Sequence, residues 1–166
     1  MMRSLYSSAL SINSESYSRS RCSPLKYYFE SLEIQVMMNG YYRFHSETRI
    51  NTHGYFHRHL FDPLDPSIGR LVSNESKCGD GQFPLRFQLE ANTTYVLVVT
   101  TASPKMSGNF SVIATGPALV IFNRTSEYTN HIKTNADFLN NRHGVSNRQK
   151  SSTDEYLEPE GCLWRV

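Results

Sequence analysis

The chain of 166 residues lacks the short motifs through which catalysis and metal binding are most often recognised. Its three cysteines form no C-x-x-C pair, which argues against a zinc knuckle. No G-x-S-x-G elbow, H-E-x-x-H motif or glycine-rich phosphate loop occurs in the sequence. We therefore expect no catalytic residues, no cofactor and no enzyme activity.

Charged residues are also few and evenly mixed. Only 19% of the residues are charged, the formal net charge is +2, and the basic residues form no run. A nucleic-acid-binding protein needs clustered Lys and Arg side chains to follow the phosphates. The composition therefore predicts that nucleic acid is not a partner.

Long apolar runs are missing as well. The longest stretches, such as ALVIF at 118–122, have the size of a strand and are far too short for a membrane-spanning helix. The amino-terminal stretch MMRSLYSSALSINSES has no continuous hydrophobic centre and makes a poor secretory signal. We expect no membrane span. If the domain is extracellular, we expect the chain to be a piece of a longer protein or a gene model that lost its start.

The cysteines leave two interpretations open. Cys22 and Cys78 flank the most regular part of the sequence and are the candidates for a disulfide, with Cys162 left over near the carboxyl end. Alternatively, all three are free thiols of a cytosolic protein, because connectivity does not follow from sequence alone.

The sequence is rich in aromatic residues, and its apolar and polar residues alternate with a period of two. Ten Tyr and nine Phe suit pleated strands better than helices. FPLRFQLE shows the alternation most clearly, since one of its sides consists of Phe83, Leu85, Phe87 and Leu89. Pro84 cannot donate to a strand ladder, so this segment is predicted to lie at a sheet edge or to begin there. YVLVVTT at 95–101 is apolar on both faces, which predicts a central strand.

Turn signals separate these segments and define the expected domain. Asn39-Gly40 predicts a hairpin, and ANTT at 91–94 predicts another. Seven or eight short strands with turns between them indicate an all-β, antiparallel, jelly-roll-like β-sandwich with disordered termini. We divide the chain into three parts, namely an amino-terminal segment at 1–26 that is partly disordered or forms one edge strand, the sandwich at 27–122, and a flexible polar tail at 123–166.

The run HGYFHRH raises the question of a metal site. If the strand continues, His57 and His59 share a face, His45 could lie on a neighbouring strand, and Asp62 or Glu47 could supply a fourth ligand for zinc. Alternatively, the histidines are side chains on the solvated face of a strand. We favour the strand and predict no metal, with His57, His59 and Asp62 as the only weak candidates.

Four Asn-x-Ser/Thr triplets are candidate N-glycosylation sites, and their positions favour an extracellular or cell-surface protein. They begin at Asn74, Asn92, Asn109 and Asn123.

The segment from NGYYRFHSETRINTHGYFHRHLF to GNFSVIATGP resembles the pre-peptidase C-terminal type of β-sandwich, found as repeats in large secreted or cell-surface proteins. The likeness covers about residues 27–122, and its matching runs are 40–44, 52–61, 74–81, 82–89, 94–101 and 108–112. The resemblance implies an accessory or adhesive module without catalysis of its own. The loop NESKCGDG departs from the acidic loop common in that family, because it contains Lys77 and Cys78.

The sequence hypothesis is thus a non-catalytic extracellular module for binding, adhesion or structural spacing, expected to be part of a larger protein. An unknown protein or a carbohydrate would be its ligand, and Tyr27, Tyr41 and Tyr55 are the expected exposed contacts unless they are ordinary cross-strand aromatics. The alternatives are an accessory domain of a secreted hydrolase, a zinc site on the His57/His59 strand, and a signalling tail around Tyr156 in TDEYLEPE.

Overall fold

The computed structural model describes residues 1–20, 23–74 and 82–125, which form ten β-strands and contain no helix. The strands are β1 (Met2–Leu10), β2 (Ser16–Tyr17), β3 (Tyr27–Val36), β4 (Gly40–Thr48), β5 (Thr52–Arg58), β6 (Arg70–Asn74), β7 (Pro84–Leu89), β8 (Tyr95–Thr101), β9 (Gly108–Gly116) and β10 (Val120–Thr125).

Two antiparallel sheets pack face to face. One has four strands in the order β1-β9-β4-β7, and the other has six, with β10-β3-β8-β5-β6 in order and β2 paired to β3. This arrangement confirms the predicted all-β antiparallel sandwich. The count of seven or eight strands is exceeded because β1 and β2 add two strands before residue 27. β1 lies at the edge of the four-stranded sheet, and the part of the expected tail from residue 126 onward is outside the described residues.

The main core lies between the two sheets. Phe44 on β4 meets Phe56 on β5 edge to face, with ring centroids 4.9 Å apart, and both side chains are buried. The expected apolar side of FPLRFQLE points into this core, and Phe83 and Leu89 are fully buried. β7 begins at Pro84 and forms a sheet edge, as predicted. All seven residues of β8 are buried, which fits its central place in the six-stranded sheet.

Both predicted hairpins are wrong. β3 belongs to the six-stranded sheet and β4 to the four-stranded one, so Asn39-Gly40 carries the chain from sheet to sheet. The connection between β7 and β8, at ANTT, also changes sheets. The physical reason is that each of these strands buries one apolar side in the same layer. Consecutive strands can therefore face each other across that layer instead of pairing side by side.

A buried carboxylate connects the two sheets at one side of the core. Glu30 on β3 is 3% exposed and accepts hydrogen bonds from Tyr6 Oη at 2.6 Å and from Ser8 Oγ at 2.9 Å, both on β1. The Nε of Arg124 on β10 lies 3.2 Å from the same carboxylate. Burial, together with the hydrogen bond to Glu30, raises the pKa of Tyr6 to about 12. The carboxylate is thus fully partnered, as a buried charge must be, and we assign it a structural role.

Candidate ligand pocket

The outer face of the six-stranded sheet carries a second, smaller hydrophobic cluster. Tyr17 on β2, Phe29 on β3 and Phe61 in the loop after β5 pack edge to face, with centroids 5.2–5.3 Å apart. Val96 and Val98, on the outer side of β8, lie beneath them. The amino-terminal segment and the β5–β6 loop therefore cover this face of the sheet.

A cavity of about 310 Å³ opens in this covering layer. Its apolar walls are Tyr17, Tyr55 and Phe61. Its polar walls include Arg19, His57, Asp65, Ser67 and Arg70. We refer to the cavity as the outer pocket. Its volume lies at the small end of the range for ligand sites, and its mixture of aromatic walls with a few polar groups is typical of them.

His57 is the most unusual polar group of the outer pocket. It lies on β5 and is 1% exposed. On the neighbouring strand β6, Phe56 pairs with Val72 but His57 pairs with Arg70, so Leu71 between them has no partner and forms a β-bulge. Such bulges redirect side chains and are frequent next to binding sites.

The ring nitrogens of His57 have different environments. Nδ1 lies 3.0 Å from the Ile68 carbonyl oxygen and must donate to it, which leaves Nε2 as the acceptor of a neutral imidazole. Burial lowers the pKa of His57, the Arg70 charge lowers it further, and the bond to Ile68 acts in the opposite direction. Nε2 is buried and has no hydrogen-bond partner. The pocket thus contains a neutral acceptor that nothing in the described part of the chain satisfies.

Two arginines supply donors and positive charge. The Arg19 guanidinium stacks on the Tyr27 ring at 3.9 Å and donates to the carbonyl oxygens of Thr101 and Ala102. These contacts hold the guanidinium in place. Its Nε is buried, and no described residue forms a hydrogen bond with it. Arg70 is exposed, and its guanidinium lies 5.9 Å from the centroid of Tyr55.

The structure separates the three weak metal candidates. β5 ends at Arg58, and His59 has a left-handed backbone with φ of 71°. The strand alternation that would place His59 on the same face as His57 therefore stops before His59. His59 is exposed, whereas His57 is buried. The Asp62 carboxylate accepts the Leu64 backbone N–H at 2.8 Å and so forms a local turn. Within residues 1–20, 23–74 and 82–125, no group of three or more His, Cys, Asp or Glu side chains could hold a metal ion.

The expected tyrosine contacts do not share one surface. Tyr55 is buried, so its prediction as an exposed residue is wrong, because the covering layer packs against it. Tyr27 is half-buried beneath Arg19, and Tyr41 is exposed on the other sheet.

Three candidate glycosylation sites have exposed asparagines, and they occupy different elements. Asn92 lies in the turn before β8 with φ of 60°, while Asn109 is on β9 and Asn123 on β10. Asn74 ends β6. The remaining proposed pair, Cys22 and Cys78, lies outside the described residues, as does Cys162.

Sequence reasoning missed the outer pocket, although it noticed some of its residues. The signal that could have found it was the two-sided burial of YVLVVTT, because an outer apolar side requires a cover.

Comparison with known proteins assigns no family to this chain. No protein-family model matches it, and no curated protein matches it. The resemblance to the pre-peptidase C-terminal sandwich therefore stays a prediction. The part of the chain that the structure describes has no helix long and apolar enough to cross a membrane.

Proposed function

We propose that this chain is a non-catalytic β-sandwich module of an extracellular or cell-surface protein, and that its outer pocket binds a small carbohydrate. The observation that carries the proposal is that Nε2 of His57, in a pocket with aromatic walls, has no hydrogen-bond partner among the described residues. A buried polar group without a partner costs free energy, so such a group in a native protein calls for a ligand, a water or another explanation.

The chemistry of the outer pocket favours a hydroxyl-bearing ligand. His57 Nε2 can only accept a hydrogen bond, whereas the Nε–H of Arg19 can only donate one. A sugar hydroxyl does both, and the rings of Tyr17 and Tyr55 offer apolar surface for the sugar carbons. A volume of about 310 Å³ suits a single sugar residue better than a long chain.

The extracellular part of the proposal rests on separate support. The asparagines of three Asn-x-Ser/Thr triplets are exposed, so a glycan on them would not have to be buried. The likeness of the sequence to secreted accessory modules agrees with this location.

Ligand binding is best tested at His57 itself. We would record the side-chain nitrogen resonances of the uniformly ¹⁵N-labelled protein by NMR while adding neutral and acidic monosaccharides one at a time. A hydroxyl that donates to Nε2 should shift the Nε2 resonance of His57 and leave that of His59 unchanged. The variant Arg70→Gln should weaken binding of any acidic sugar, whereas Arg58→Gln, on the same sheet but outside the pocket, should not. If no saccharide of the panel shifts the His57 resonance, the outer pocket is not a sugar site.

Location is tested on the protein from its own cells. We expect mass spectrometry of its peptides to find glycans at Asn92, Asn109 or Asn123. Completely unmodified asparagines at all three positions would overturn the extracellular assignment while leaving the pocket experiment intact.

A further inference from the structure

The outer face of the four-stranded sheet carries three arginines in one line. Thr115 on β9 pairs with Arg3 on β1 and with Arg43 on β4, and Arg43 pairs in turn with Arg86 on β7. Side chains at paired positions point to the same face of a sheet. All three arginines are exposed, whereas Phe44 next to Arg43 and Leu85 next to Arg86 are buried on the other side. We call Arg3, Arg43 and Arg86 the arginine row.

The arginine row has no counter-charge among the residues that the structure describes. In the described part of the chain, none of its three guanidinium groups is in an ion pair with a carboxylate. Glu47, on the same face of β4, lies 3.8 Å from Nε2 of His45 instead. Like charges directly opposite each other on neighbouring strands destabilise a sheet. The pairing of Arg43 with Arg86 therefore opposes stability.

The surface beside Arg43 is recessed. Two shallow depressions, of about 580 and 500 Å³, flank Arg43 and share Arg43, Pro84 and Thr115 among their lining residues. The two depressions are therefore adjacent, and we call them together the trough. Tyr41 lines the larger depression and is 59% exposed, and the Arg86 guanidinium lies 5.1 Å from the centroid of its ring. This trough is on the opposite sheet from the outer pocket.

We propose that the arginine row and Tyr41 form a second binding site, which takes a sulfated polysaccharide. The planar guanidinium matches an oxyanion such as sulfate with two parallel hydrogen bonds. Neighbouring strands lie about 4.8 Å apart, so the row places positive charge along about 14 Å of the surface. A ligand that contacts the whole row must therefore be a chain with several anionic groups along its length. The exposed ring of Tyr41 adds a stacking surface for a sugar. The sequence contains no recognised nucleic-acid-binding motif, so we take a polysaccharide as the occupant instead of nucleic acid.

Affinity for heparin, measured by calorimetry at low and at physiological salt, tests the site. The double variant Arg43→Gln/Arg86→Gln should lose about tenfold or more in affinity, and the salt dependence of binding should become shallower. The matched control Arg49→Gln/Arg58→Gln also removes two positive charges, but from exposed positions outside the row. It should change the affinity less than about twofold. Equal losses in both double variants would overturn the site, because they would show unspecific attraction of charge.

Further measurements identify the partner and guard against misfolding. Hyaluronan (a carboxylated chain without sulfate), duplex DNA and phosphatidylserine vesicles serve as competitors. Any of them binding as tightly as heparin would overturn the assignment to a sulfated chain, and so would the absence of heparin binding at low salt. The variant Arg43→Lys/Arg86→Lys keeps the charges and should still lose affinity, since lysine cannot form the paired hydrogen bonds. Retained affinity in a folded lysine variant would contradict the proposed contact. Because the outer pocket is untouched by these substitutions, either site can fail without the other.

Discussion

On the outer face of the six-stranded sheet, Tyr17, Phe29 and Phe61 pack edge to face, whereas the outer face of the four-stranded sheet presents Arg43 and Arg86 to solvent. Both sheets bury their inner faces in the same core, so the difference arises outside it. β8 and β3 carry apolar residues on both sides, while β4 alternates buried and exposed positions along most of its length. We call the outer face of the six-stranded sheet the covered face and the outer face of the four-stranded sheet the bare face. The comparison shows that the covered face is packed like a second core, whereas the bare face presents charged side chains to solvent.

The covering layer should contribute as much stability as a core does. Phe61→Ala removes a fully buried ring that contacts Tyr17, Phe29 and His57, and we expect it to lower the free energy of unfolding by about 3–5 kcal/mol. Urea unfolding followed by far-UV circular dichroism measures this loss. The control Leu64→Ala, 77% exposed in the same loop, should stay within about 0.5 kcal/mol of the unmodified protein. A loss below about 1 kcal/mol for Phe61→Ala would mean that the layer is only loosely attached.

A pair of leucines on β1 tests the bare face within one strand. Leu10 is 1% exposed and belongs to the main core, and Leu10→Ala should destabilise the protein by about 2–5 kcal/mol. Leu5 is 58% exposed, and Leu5→Ala should change stability by less than about 0.5 kcal/mol. The same urea titrations compare the two. Similar losses would show that something covers the four-stranded sheet as well.

The acid response of the covered face depends on His57. Its pKa is lowered by burial, so as the pH falls below about 6.5 the unfolded chain takes up a proton that the folded protein does not. The free energy of unfolding should therefore fall with decreasing pH, by up to about 1.4 kcal/mol per pH unit, until the pH reaches the folded pKa. Above about pH 7 this contribution is constant, because both states are neutral.

Stability measured between about pH 7.5 and 5.5 checks this expectation on variants. His57→Gln should flatten the pH dependence, whereas His59→Asn should retain it, since His59 is exposed and asparagine tolerates its positive φ. An unchanged slope in His57→Gln would assign the acid sensitivity to other groups.

The smallest expected effect concerns the bare face. Arg43→Thr replaces one of two like charges with a β-branched residue that suits a strand, and we expect a gain of about 0.5 kcal/mol. Thermal unfolding at low and high salt measures it, and the gain should shrink as salt screens the repulsion. A loss of stability would show that Arg43 makes a favourable contact that outweighs its repulsion with Arg86.

Alternation along the chain predicted the fold but not the site. Phe83, Leu85 and Leu89 repeat every second position, and such a pattern has only one way to face a core. Tyr17 and Phe61, in contrast, come from a serine-rich segment and from a Pro/Asp loop without any period. Their meeting depends on how two connections fold over the sheet, which no local pattern encodes.

The histidine cluster illustrates the same limit at single-residue scale. The sequence suggests that His57 and His59 are equivalent, but one positive φ after Arg58 separates them. The tautomer of His57 depends on the Ile68 carbonyl, which the β5–β6 loop brings within 3.0 Å. The arginine row was equally hidden, because Arg3, Arg43 and Arg86 are far apart in the sequence and align only through strand register.

The pairing of β1 with β9 also has a consequence for the order of folding. The hydroxyls of Ser7 and Ser111 meet across this pair although 104 positions separate them along the chain. A growing polypeptide on the ribosome therefore cannot complete the four-stranded sheet until the ninth strand has emerged from the exit tunnel. Such distant contacts make folding slow, because the chain loses the entropy of closing a long loop before the stabilising contacts form. The nascent amino-terminal strand must meanwhile remain unpaired, and the charge of Arg3 opposes its aggregation.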